Sequence, residues 1–79
     1  MGMNLKGDLS DLEDFLGSGA LRNYKVDYFQ PLEIQGFMDS MEVMQYIIYL
    51  ESKYSVRLTR DEIRSISVYK DLLDILEDK

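Results

Sequence analysis

Val43, Ile47, Leu50 and Tyr54 recur at spacings of 4, 3 and 4. At about 3.6 residues per turn, that interval brings every one of these side chains to a single face of an α-helix. A helix opening at Asp39 or Ser40 and closing near Tyr54 must therefore bury one stripe against something else. No segment alternates apolar and polar residues convincingly enough to be a strand. The chain has to cover its apolar faces by packing helix on helix.

The same logic places three further helices. Ser10 and Glu13 form an S-x-x-E capping-box pattern, with Leu9, Leu12, Phe15 and Leu16 at helical spacing. Gly17-Ser18-Gly19 stops this first helix. Thr59 and Glu62 make a second capping box, which opens a short third helix over 60–66 with Ile63 and Ile66 inward. Ser67 is expected to cap a fourth helix whose buried face is Val68, Leu72, Ile75 and Leu76. Residues 20–38 form a long connection in which Tyr24, Val26, Tyr28 and Phe29 are expected to lie across the core. Pro31 disfavours helix at Gln30. Met1 to Gly7 reads as a loose end. The expectation is an all-α, single-domain chain over residues 1–79, a small bundle of three main helices and one short one.

Composition narrows the chemistry. At 79 residues the chain buries only a thin core, which makes a deep substrate pocket improbable. It contains no cysteine and no histidine, which removes disulfides, thiolate metal sites, cysteine nucleophiles and the usual general base. Asp8, Asp11, Glu13 and Asp14 cluster on the first helix. They lack the spacing of a calcium loop and read as a solvated helix face, so no metal site is expected. Gly17-Ser18-Gly19 lacks the lysine of a phosphate-binding loop. A net charge of −6 and a pI near 4.4 disfavour nucleic acid and favour partners with basic patches. There is no apolar run resembling a signal peptide and none long enough to span a membrane. A cytoplasmic monomer is the expectation.

Ser40 stands out by position. The first N–H groups of a helix lack intrahelical partners, and the helix dipole puts partial positive charge there. A phosphate ester on Ser40 would sit where anions are favoured. Alone, an Asp-Ser pair at this place would read as a simple helix cap. Its context is more specific. Gly36 lies shortly upstream, Phe37-Met38 precede Asp39-Ser40, and Met41 follows. The helix closes in Leu50-Glu51-Ser52-Lys53-Tyr54, and Arg57-Leu58-Thr59, Asp61-Glu62-Ile63 and Ser67-Val68 with Leu72 follow downstream.

Over roughly residues 31–76 this pattern resembles the acyl carrier protein family. The Gly-x-x-Asp-Ser-Met run is closest to the branch of D-alanyl and peptidyl carriers. The resemblance implies a four-helix carrier whose 4′-phosphopantetheine arm is moved from coenzyme A onto Ser40 by a phosphopantetheinyl transferase. Asp39 matches the family's residue beside the attachment serine, which helps the transferase engage it. An acyl or aminoacyl group would ride as a thioester on the arm, loaded by a ligase and passed to a downstream acyltransferase or synthase. The chain itself would catalyse nothing. Met41, Met44 and Ile48 form a second apolar row beginning beside Ser40, either core or a partner-docking surface. The first stripe already supplies a core face, so docking is expected, with Phe37 as a neighbouring contact. The alternative is a small acidic helical adaptor without a prosthetic group.

Overall fold

The computed structural model describes residues 6–79. These residues fold as α1 (Leu9–Leu16), α2 (Ser40–Tyr54), α3 (Arg60–Ser65) and α4 (Tyr69–Glu77), with a 3-10 turn at Leu32–Ile34. There is no strand among the described residues, and the fold is a small all-helical bundle. Leu12 of α1, Tyr46, Ile47 and Leu50 of α2, and Tyr69, Leu72, Leu73 and Leu76 of α4 meet in one core. Leu32, Met38 and Leu58 close it from the connections. Leu12, Leu50, Leu72 and Leu76 are shut off from solvent, and each such burial contributes roughly 1.5–3 kcal/mol. α3 buries no residue completely and leans on the core through half-buried Ile63 and Ile66.

Several local expectations change. α1 is capped by Asp8, whose backbone is extended and whose carboxylate accepts the Leu9 N–H at 2.8 Å. The Asp8 carbonyl already accepts the Leu12 N–H, so Ser10 and Glu13 fall inside the helix rather than forming its box. α4 is not capped by the Ser67 hydroxyl. The Asp71 carboxylate reaches back to accept the N–H groups of Ser67 at 2.9 Å and Val68 at 3.2 Å. Those two donors hold the Asp71 carboxyl below its ordinary pKa. The buried face of α4 runs through Tyr69 and Leu73 as well as Leu72 and Leu76, while Val68 and Ile75 are half-buried. In α2, Ile47 and Leu50 are core, but Val43 and Tyr54 at the ends of the stripe are only half-buried. Tyr46, flanking the stripe, is fully buried.

The polar arrangement beneath α1 departs most from expectation. Of the segment expected to be loose, residues 1–5 lie outside the described residues, but Gly7 is buried. Its N–H donates to Asp11 at 2.8 Å, and its carbonyl accepts the hydroxyls of both Tyr46, at 2.7 Å, and Tyr69. Asp11, expected on a solvated face, is 4% exposed. It also accepts from the Lys53 ammonium and the Tyr54 hydroxyl. One carboxylate thus ties α1 to the last turn of α2 and to the chain before α1. Every buried polar side-chain atom among the described residues finds a partner, as close packing requires.

The long α1–α2 connection is tied at both sides. The carbonyls of Gln30 and Tyr28 accept the otherwise unpartnered N–H groups of Tyr69 and Lys70 at the start of α4, at 3.2 and 2.8 Å. Tyr28 stacks on Tyr69 with ring centroids 5.1 Å apart and donates its hydroxyl to Asp8 at 2.7 Å. The Gln35 amide bridges back to Asp27, accepting its N–H at 2.7 Å and donating to its carbonyl at 2.8 Å. The connection is therefore a fixed approach to α2.

Candidate functional site

Ser40 is the first residue of α2 and is exposed. Three features set it there. Buried Met38 anchors the chain two residues earlier. Gly36 turns the backbone with φ at +98°, a left-handed value that favours glycine. Asp39 then takes an extended conformation and caps the helix.

The cap is reciprocal. The Asp39 carboxylate accepts the Glu42 N–H at 2.8 Å, and the Glu42 carboxylate accepts the Asp39 N–H at 3.0 Å. Glu42 is thus the partner that fixes the helix start. Asp39-x-x-Glu42 has the same spacing as the Thr59-x-x-Glu62 box of α3 and is readable from the sequence in the same way. The capping duty falls on Asp39 and Glu42, and the Ser40 hydroxyl takes no part in it. Among the described residues the N–H groups of Ser40 and Met41 also lack partners, which leaves first-turn donors beside the hydroxyl.

Ser40 opens onto a cleft of about 220 Å³ between α2 and α3. Val43, Met44 and Ile47 of α2 form one wall, and Ile63 and Ile66 face them. Exposed Glu33 also contributes to its lining. The half-buried position of Val43 follows from this cleft, since α3 is too short to cover that end of the stripe completely.

The row beside Ser40 lies outside the core. Met41 is 69% exposed, Met44 43% and Ile48 59%. Ile34, in the 3-10 turn, is exposed as well. Phe37 is placed differently from the row. It is half-buried, with its ring edge-on to Tyr24 at 5.5 Å, and the Tyr24 hydroxyl donates to the Gly36 carbonyl at 3.2 Å. The pair braces the turn that leads into Asp39.

Burial pushes the Tyr69 phenol, which lines this cleft, above its ordinary value. That hydroxyl is engaged on Gly7. Among the described residues no group of three or more acidic side chains could hold a metal ion. No described helix is long and apolar enough to cross a membrane. The site's assets are a free hydroxyl at a rigid helix start, an apolar cleft beside it and an exposed apolar row.

Comparison with protein-family models, with curated proteins and with solved structures returns no match for this chain.

Proposed function

We propose that the chain is a non-catalytic acyl or aminoacyl carrier whose 4′-phosphopantetheine arm is esterified to Ser40. The observation that carries this reading is the separation of duties at the start of α2. Asp39 and Glu42 complete the cap, and the neighbouring hydroxyl stays exposed and uncommitted. The attachment region's resemblance to acyl carrier proteins supplies the chemistry. In the transfer, the Ser40 oxygen attacks the phosphorus of coenzyme A that bears the pantetheine. A new P–O ester bond forms, the pyrophosphate bond breaks, 3′,5′-ADP departs, and the hydroxyl proton passes to a base of the transferase. The arm's thiol would hold the cargo as a thioester, an arrangement suited to a chain without cysteine.

The chain's own part is to present the serine. The cap holds Ser40 on a rigid helix, and the unpartnered N–H groups together with the helix dipole favour the phosphodiester. Met41, Met44 and Ile48 offer transferase, ligase and downstream acyltransferase or synthase an apolar surface next to it. Cytoplasmic location and a monomeric state belong to the same reading.

Intact mass after incubation with coenzyme A and a broad-specificity phosphopantetheinyl transferase tests the attachment. Wild type is expected to gain one phosphopantetheine and Ser40→Ala none. Addition persisting in Ser40→Ala, or found on Ser10 or Ser67, would reject the assignment. An unmodified wild type would favour the adaptor alternative.

The docking row has its own test. Met44→Glu is expected to leave the helical circular dichroism and melting temperature nearly unchanged. It should slow loading about tenfold, because a charge must be desolvated at the contact. Unfolding of Met44→Glu would return the row to the core. Unchanged loading would move docking elsewhere.

A further inference from the structure

The acidic majority of this chain conceals a basic edge. Arg57, Arg60 and Arg64 lie within eight residues, and all three are exposed. The protein has 15 acidic residues to choose from. Even so, every ion pair among the described residues uses a lysine: Lys53 with Asp11 and Asp14, Lys70 with Asp74, and Lys79 with Glu62. None of the three arginines pairs with a carboxylate among the described residues, and residues 1–5 contain no acidic side chain.

The arrangement gains the fold little, since only Arg64, in the last turn of α3, stands where the helix dipole favours a cation. Arg60 is the first residue of α3, where the helix dipole disfavours a cation. Arg60 and Arg64 stand four residues apart, a like-charge spacing that costs about 0.2–0.5 kcal/mol. At roughly 100° per residue the two side chains lie about 40° apart, on one side of Ile63. Ile63 faces Met44 across the cleft that opens at Ser40. Arg60 and Arg64 therefore flank, on α3, a residue that lines the cleft beside Met44. Of the two carboxylates on α3, Glu62 is engaged by Lys79 and the Thr59 N–H, and exposed Asp61 makes no ion pair.

We propose that Arg57, Arg60 and Arg64 form a docking edge for a partner protein whose contact surface carries carboxylates. Arginine's planar fork suits bidentate pairing with such groups. A phosphate ligand fits less well, because no arginine lines the neighbouring cleft and nothing would enclose the anion. An anionic membrane fits less well too, because an extended negative surface would repel a chain of net charge −6. Discrete carboxylates avoid this, since screening limits their interaction to about 8 Å. Such an edge adds a carboxylate-bearing partner to the basic ones that the net charge of −6 favours. It does not depend on whether Ser40 carries an arm.

Amide chemical-shift titration of the full chain tests the edge with three probes: a hexaglutamate peptide, inorganic pyrophosphate, and vesicles of phosphatidylglycerol and phosphatidylcholine. Hexaglutamate is expected to shift resonances of 57–64 selectively. About 0.5 M salt should abolish the shifts, as should Arg60→Glu with Arg64→Glu. The triple variant Arg57→Gln, Arg60→Gln, Arg64→Gln should lose the response without a charge reversal, and circular dichroism should match wild type in both. Absent shifts, shifts spread over the whole surface, or shifts that survive in the variants would overturn the proposal. Stronger binding of pyrophosphate or of the anionic vesicles would overturn it in favour of a phosphate or membrane surface.

Discussion

Asp11→Ala is expected to lower the unfolding free energy by about 2–4 kcal/mol in chemical denaturation. The carboxylate accepts from the Gly7 N–H, the Tyr54 hydroxyl and the Lys53 ammonium while itself only 4% exposed. Removing it leaves a buried backbone donor unmatched, and an orphaned donor of that kind costs about 1–3 kcal/mol. The tyrosine hydroxyl loses its acceptor as well. The lysine contributes less, because its side chain is 35% exposed and its ammonium can return to water. A chain of this length has a total stability of roughly 4–12 kcal/mol, so a large part of the population would unfold on mild heating. An unchanged denaturation midpoint would mean that the network is not what holds α1 to α2.

The same carboxylate sets a pH dependence. Burial pushes the Asp11 pKa up, but hydrogen bonds from Lys53, Tyr54 and Gly7, with the lysine's charge, outweigh it and hold the pKa below its ordinary value. A carboxylate depressed in the folded state binds protons more readily once unfolded. Its contribution is therefore complete above the unfolded value of about 4 and is lost as pH falls through the folded one. Asp71 adds to the same trend through its backbone donors. Melting temperature should fall steeply below about pH 4 in wild type and less steeply in Asp11→Asn. Parallel slopes in the two proteins would assign the acid sensitivity to other groups.

Much of the architecture was legible from residue spacing. The helical class, the limits of α2, the glycine stop after α1 and the Thr59 box of α3 follow from periodicity and cap chemistry, which act within a few residues. Ser40 was legible for the same reason, because its position at a helix start is a local property. The exposure of Met41, Met44 and Ile48 could be anticipated by counting faces, since one helix cannot bury two stripes against so thin a core. The losses occurred where contacts join distant parts of the chain. Asp11 looks like any surface carboxylate until α2 brings Lys53 and Tyr54 to it across 42 and 43 residues. Tyr69 looks like a polar helix start until Tyr28 stacks on it and the Gly7 carbonyl accepts a hydrogen bond from its hydroxyl. The cap positions of α1 and α4 slipped because several candidates stood within one turn, and backbone geometry chose among them.

Gly7→Ala is expected to cost about 2–5 kcal/mol, although the residue stands where the sequence reads as a loose end. Its φ is +80°, a left-handed conformation that costs a side-chain-bearing residue about 1–2 kcal/mol. A methyl group there would also meet Leu76 Cδ1 at 2.7 Å and Leu50 Cδ1 at 3.2 Å. Both atoms end flexible side chains, but both residues are fully buried and have no solvent space to yield into. Overpacking of a tight core typically costs a further 1–3 kcal/mol. Shifting the backbone instead would pull the Gly7 carbonyl from the Tyr46 and Tyr69 hydroxyls it accepts. The two contributions can be separated. Leu76→Val removes the closer methyl, so the double variant Gly7→Ala, Leu76→Val should lose less than the sum of the single losses, and the shortfall measures the clash. The residual cost reports the left-handed backbone. A chain end without fixed contacts would behave oppositely, since alanine restricts the unfolded state and would leave stability unchanged or slightly raised. Urea midpoints of the four proteins in that cycle decide whether Gly7 is a pivot of the core or a spectator at its edge.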